Sequence, residues 1–125
     1  MIRKLGLVEA GFPTAAEEDK GNFITLDELI IQNRNASYLL TVKGDSMCDA
    51  GILDGDLIVI EKRENAKVGQ IVVASVDGEY TLKYLRQDKN KQYYLEAANA
   101  KYTDIYAENE LQIQGILIAV IRKYK

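Results

Sequence analysis

From Tyr38 to the C-terminus the chain is divided into short runs of Val, Ile, Leu and Tyr by polar turns, and this pattern limits its fold more than any other feature. The runs Tyr38–Lys43, Asp56–Lys62, Gln70–Val76, Glu79–Arg86, Gln92–Ala97 and one from Leu111 toward Tyr124 read as strands. Asp77-Gly78 separates two of them, and that dipeptide favours the positive dihedrals of a two-residue hairpin turn. Asp54-Gly55 introduces another strand, and Gln87 to Lys91 form a polar turn between two more. The expected fold is mainly β, a strongly curved sheet or partial barrel, with one or two short helices.

Composition sets the limits on function. The chain has 125 residues, 47% of them hydrophobic with a single Pro, which suits one domain with an ordinary folded core. Sixteen Lys and Arg against 19 Asp and Glu give a formal charge of -3 with no basic block. Direct, sequence-specific nucleic-acid binding is therefore not expected. With no His at all, Ser-His-Asp, Cys-His and His-ligated zinc chemistry are excluded. The lone Cys48 forbids an intrachain disulfide and suits a reducing compartment. The longest apolar run, Ile116 to Ile121, has six residues, whereas a membrane-spanning helix needs about twenty. No secretory signal is visible either, so a soluble, cytoplasmic protein without a membrane partner is expected.

Residues 1–20 read as an extended arm and 21–125 as the folded body. Between Lys4 and Lys20 lie two Gly, the only Pro and the acidic Glu17-Glu18-Asp19, with no apolar periodicity. Pro13 lacks a backbone donor and biases Phe12 away from helical dihedrals. Thr25-Leu26-Asp27-Glu28 matches a capping box, from which a short helix is expected over Leu26–Asn33.

Ser46 leaves a strand through Gly44 and stands where free backbone amides converge, one requirement of a nucleophile. The plainer alternative is that Asp45 or Ser46 caps the turn. With His unavailable, the base would be a lysine or a carboxylate. Lys83 stands out because it shares a strand face with Thr81 and Leu85. Burial there would lower its pKa enough to make it a general base, although a strand lysine can equally snorkel to solvent. Lys43, Lys62 and Lys67 flank strands or turns and read as solvated. Asp45, Asp49, Asp54 and Asp56 do not fit the spacing of a calcium loop, so they are read as turn residues and no metal or cofactor is expected. Cys48, without a His partner, reads as a small apolar side chain.

Three separated pieces resemble the self-cleaving proteins of the LexA and UmuD type, which use a Ser-Lys dyad. Glu9-Ala10-Gly11-Phe12-Pro13 resembles the family's Ala-Gly cleavage site, Gly44-Asp45-Ser46-Met47 its nucleophile motif, and Thr81-Leu82-Lys83-Tyr84-Leu85 its lysine strand. Ser46 lies 36 residues beyond Ala10 and Lys83 lies 37 beyond Ser46, intervals that match the family. The resemblance runs from about Val8 to the C-terminus.

It implies a serine peptidase with Ser46 and Lys83 as catalytic pair, cutting its own chain between Ala10 and Gly11. It further implies stimulation by RecA filaments on single-stranded DNA during the SOS response to DNA damage, and a trimmed homodimer using the C-terminal strand. Only ten residues precede the expected cut, and with Gly11-Phe12-Pro13-Thr14 this points to the UmuD branch, whose product joins a UmuC-like polymerase for mutagenic translesion synthesis. The alternatives are the isolated dimerisation and self-cleavage domain of a LexA-like or phage repressor, and a non-cleaving binding module of the same fold.

Overall fold

The computed structural model describes residues 1–4, 6–8, 10 and 22–125. The chain forms two compact units, residues 1–34 and residues 35–125.

In the first unit β1 (Ile2–Arg3) pairs antiparallel with β2 (Phe23–Ile24), Ile2 opposite Ile24 and Arg3 opposite Phe23. Two-residue strands are too short to show a period, so the sequence gives no sign of this pair. Helix α1 (Leu26–Ile30) begins as the capping pattern requires, with the Glu28 amide donating to Thr25 Oγ1 at 3.1 Å. It stops three residues short of the expected Asn33. Ile31 takes extended dihedrals (φ -101, ψ 113) while its amide closes on the Asp27 carbonyl at 2.8 Å. The β-branched pair Ile30-Ile31 favours that exit, and no basic side chain supports the last turn.

The second unit is a six-stranded antiparallel sheet. Its strands are β3 (Ser37–Thr41), β4 (Leu57–Lys62), β5 (Ile71–Val76), β6 (Glu79–Gln87), β7 (Tyr93–Glu96) and β8 (Leu111–Ile121). They lie in the order β3-β4-β8-β5-β6-β7, so the sheet is mainly β as expected and does not close into a barrel. The β5–β6 hairpin turns at Asp77 (φ 48) and Gly78 (φ 91), both in the positive region that the Asp-Gly dipeptide predicts.

The sequence presents β8 as a strand too apolar for an exposed edge, and the structure accounts for much of that by pairing it on both sides. Residues Leu111 to Ile116 pair with β5, whereas Gly115 to Ile121 pair with β4. Gly115 and Ile116 alone have partners on both flanks, Lys62 and Glu61 on one side, Val73 and Val72 on the other. Register shifts bracket this crossing, between Val59 and Ile60 of β4 and between Val73 and Ala74 of β5. Each leaves one β8 residue unpaired, and such bulges sharpen the local twist. Gly115 is required where the strands cross, since a Cβ there would stand 2.5 Å from Ile60 Cγ2 and 2.8 Å from the Glu61 carbonyl oxygen.

Successive β5 residues divide between two apolar clusters, as strand alternation demands. Val73 joins Met47, Ile52, Ile58, Ile60 and Ala98, while Val72 and Ala74 join Leu85, Leu95 and Ile116. Met47 is 2% exposed, so the residue after Ser46 is anchored in the first cluster. Among the described residues no helix is long and apolar enough to cross a membrane.

Candidate active site

The segment between β3 and the short 3-10 helix Cys48–Ala50 brings Ser46 to the surface of the first cluster. Gly44 (φ 92) makes the turn, and its amide donates to Asp54 Oδ1 at 2.7 Å. The N-cap position of the 3-10 helix belongs to Met47 and has no side-chain capping bond, so neither Asp45 nor Ser46 is a cap. Asp45 instead accepts from the Tyr102 hydroxyl at 2.6 Å, which holds its carboxyl below the usual carboxylate range and pushes the Tyr102 phenol up.

Ser46 Oγ lies within hydrogen-bond distance of Lys83 Nζ, 3.1 Å away, and accepts from it when the lysine is an ammonium. Lys83 is 7% exposed, which rules out the snorkelling alternative. Its Nζ also donates to Thr81 Oγ1 at 2.7 Å and to the Leu82 carbonyl at 3.1 Å, and among the described residues no carboxylate pairs with it. Desolvation without a compensating anion disfavours the ammonium and lowers the lysine pKa. A neutral amine has two N–H groups and one lone pair. Thr81 Oγ1 and the Leu82 carbonyl take the two protons, which leaves the lone pair for the Ser46 hydroxyl.

Among the described residues the Ser46 and Met47 amides meet no acceptor. They stand beside a cleft of about 380 Å³ that Ser46 and Lys83 line together with apolar Leu40, Val42, Ile58 and Leu82. β3 ends the strand order, so among the described residues one of its edges is unpaired, and Leu40 and Thr41 bring that strand to the cleft. An extended peptide can add to such an edge by main-chain pairing.

Of the residues singled out from the sequence, Ser46 and Lys83 are brought together; Ala10 lies exposed at a bend. Gly11, the other side of the expected cut, lies outside the described residues. Lys43, Lys62 and Lys67 are exposed. The acidic residues serve the turns: Asp54 holds Gly44, and buried Asp56 accepts the Leu53 amide and a bidentate pair from Arg122 at 2.6 and 2.7 Å. That pair, with the Leu53 amide, holds the Asp56 carboxyl down to about 2 and raises the Arg122 guanidinium.

Sequence reasoning did not single out Asn99, Tyr102 or Arg122. They act on the Ser46 turn from 54 to 71 positions away, a distance at which no local period operates. Thr81 carried a usable signal, since a hydroxyl two residues before a strand lysine shares its face.

Residues 4–118 match the Peptidase S24-like family. Over 121 residues the chain is 44% identical to a LexA repressor from Gluconobacter oxydans (strain 621H), a match covering 95% of this chain and 50% of that protein. The chain thus spans about half the length of that curated relative. Motifs, sheet and matched length agree, and the chain belongs to the Peptidase S24-like family of LexA- and UmuD-type proteins.

Proposed function

We propose that the chain is a Ser-Lys peptidase that cuts itself between Ala10 and Gly11, a bond inside the arm of residues 1–20 that precedes a body of residues 21–125. The observation that carries this reading is the 3.1 Å contact between Ser46 Oγ and a buried Lys83 that, among the described residues, has no carboxylate partner.

Neutral Lys83 Nζ takes the Ser46 hydroxyl proton as Oγ attacks the Ala10 carbonyl carbon. The carbonyl electron pair moves onto oxygen, where the Ser46 and Met47 amides, which meet no acceptor among the described residues, are available to receive it. Collapse of the adduct expels the Gly11 nitrogen, which takes the proton from Lys83, and leaves an ester between Ala10 and Ser46. Water, deprotonated by Lys83, then releases the Ala10 carboxylate and restores the serine hydroxyl. Ala10 and Gly11 suit the cut because small side chains let the carbonyl approach Ser46 closely.

The chain would act as a cytoplasmic homodimer whose cleavage RecA filaments on single-stranded DNA stimulate. The C-terminal strand supports the dimer: from Leu117 to Ile121 β8 has β4 on one side and, among the described residues, no strand on the other. Such an apolar open edge invites a second copy. For the downstream role, identity to a LexA repressor favours the dimerising, self-cleaving part of a repressor. The UmuD-like role, as accessory subunit of a UmuC-like translesion polymerase, is the second reading, supported by the Gly11-Phe12-Pro13-Thr14 motif.

Intact mass after mild alkaline incubation tests the core of the proposal. A species beginning at Gly11 should form in the parent and be absent in Ser46→Ala and Lys83→Ala. Persistence of the full-length mass in the parent, even with RecA filaments present, would leave a non-cleaving binding module.

A further inference from the structure

The Asp45 carbonyl is held from two directions. Asn99 Nδ2 donates to it at 3.0 Å and the Cys48 amide donates to it at 3.2 Å. A trans peptide is planar, with its C=O and N–H pointing in opposite directions, and among the described residues there are no cis peptide bonds. Fixing the Asp45 carbonyl therefore fixes where the Ser46 N–H points, and that amide meets no acceptor among the described residues.

Asn99 is itself held in place. Its Oδ1 accepts the Lys101 amide at 3.1 Å, and next to it the Ala98 carbonyl takes the Asp49 amide at 2.8 Å while the Ala98 amide meets Met47 Sδ at 3.3 Å. The segment after β7 thus grips the Ser46 turn at Asp45, Met47 and Asp49. Only the Asn99 bond falls on the peptide that carries the Ser46 amide.

We propose that Asn99 is a positioning residue for the oxyanion site: its side-chain amide orients the Asp45-Ser46 peptide so that the Ser46 N–H faces the developing negative charge. This rests on the self-cleavage reading above. Asn99 does not touch the reacting atoms, and Lys83 has its own partners in Thr81 and Leu82. Its loss should lower the rate without changing the protonation behaviour of the base.

The test uses the full chain with Asn99→Asp and Asn99→Ala. Asp keeps an oxygen for the Lys101 amide but cannot donate to the Asp45 carbonyl, so it separates aiming the peptide from holding the loop. Both variants should cut at least about 10-fold more slowly than the parent at the alkaline plateau, less than the loss expected when an oxyanion donor is removed outright. In Asn99→Ala the pH midpoint of cleavage should stay where it is in the parent. A rate for Asn99→Asp within twofold of the parent, or a midpoint moved in Asn99→Ala, would overturn the proposal.

A second measurement needs no cleavage. In a Lys83→Ala background, adding Asn99→Asp should shift or broaden the Ser46 amide resonance in a 1H-15N spectrum while resonances of β5 and β8 stay put. An unmoved Ser46 resonance would also overturn the assignment. If the parent is never cut, the peptidase reading fails, yet this spectrum still decides whether Asn99 aims the amide.

Discussion

Lys83 Nζ stands 3.1 Å from Ser46 Oγ, with no anion against it among the described residues, so the serine meets an amine whose charge the fold works to remove. Self-cleavage should therefore rise with pH through a single midpoint below the ordinary lysine value of about 10.4. Rates from intact mass between pH 6 and 11 check this, and a midpoint at or above that value would contradict it.

The same burial makes a stability prediction. The folded chain carries fewer protons than the unfolded one between the lowered Lys83 pKa and about 10.4, so stability from this group rises with pH across that window. Lys83→Met has no such group. The parent should gain on Lys83→Met as pH rises, by at most about 1.4 kcal/mol per pH unit, read from urea unfolding at a series of pH values.

Thr81 Oγ1, 2.7 Å from Lys83 Nζ, holds the amine where its lone pair can reach Ser46. Thr81→Val keeps the shape of the side chain and removes the acceptor, so cleavage should slow by about 10- to 100-fold. Thr81→Ser should recover most of the rate. A Val variant as fast as the parent would mean that the Leu82 carbonyl and packing suffice.

Much of this site was legible before the fold was known, for physical reasons that also mark where legibility ends. Gly44 before Ser46 announces a turn, and the alternation Thr81, Lys83, Leu85 puts the three on one strand face; both are local facts about backbone, whereas only the folded sheet decides that Lys83 is buried rather than snorkelling to solvent. Asp77-Gly78 fixed a hairpin in the same way. Asn99 and Tyr102 were hidden because they meet Asp45 only after β7 has paired with β6 and carried the next loop back. The double pairing of β8 was hidden too, since an apolar run looks alike whether another strand or a second copy covers it.

Arg122 ties the end of β8 to the turn that follows Ser46, through Asp56 and the Gly51 carbonyl at 2.8 Å. Asp56 ionises in the folded chain at about 2, first because of Arg122 and then because of the Leu53 amide. Below its unfolded value of about 3.9 the unfolded chain binds the extra proton, so this contribution is present above that pH and is lost as pH falls toward 2. Arg122→Ala removes the main cause and leaves a carboxylate that is 3% exposed without its cation. Its acid unfolding, followed by circular dichroism, should begin at a higher pH than the parent's. Coincident acid transitions would show the pair to be inconsequential for the fold.

Gly115 offers the strictest test of the sheet, because the two flanking strands meet β8 together only there and at Ile116. In Gly115→Ala the new methyl meets one movable atom, Ile60 Cγ2 at 2.5 Å, and one that cannot move without disturbing β4, the Glu61 carbonyl oxygen at 2.8 Å. Overpacking of this kind costs about 1–3 kcal/mol, which urea unfolding at pH 7 resolves. Ile60→Ala in the same chain removes the first clash but not the second, and it deletes a fully buried core side chain. The double variant should therefore remain less stable than the parent. If Gly115→Ala alone unfolds with the parent's midpoint, the close approach of β4 to β8 at the crossing is wrong, and with it the register that gives β8 its two sets of neighbours.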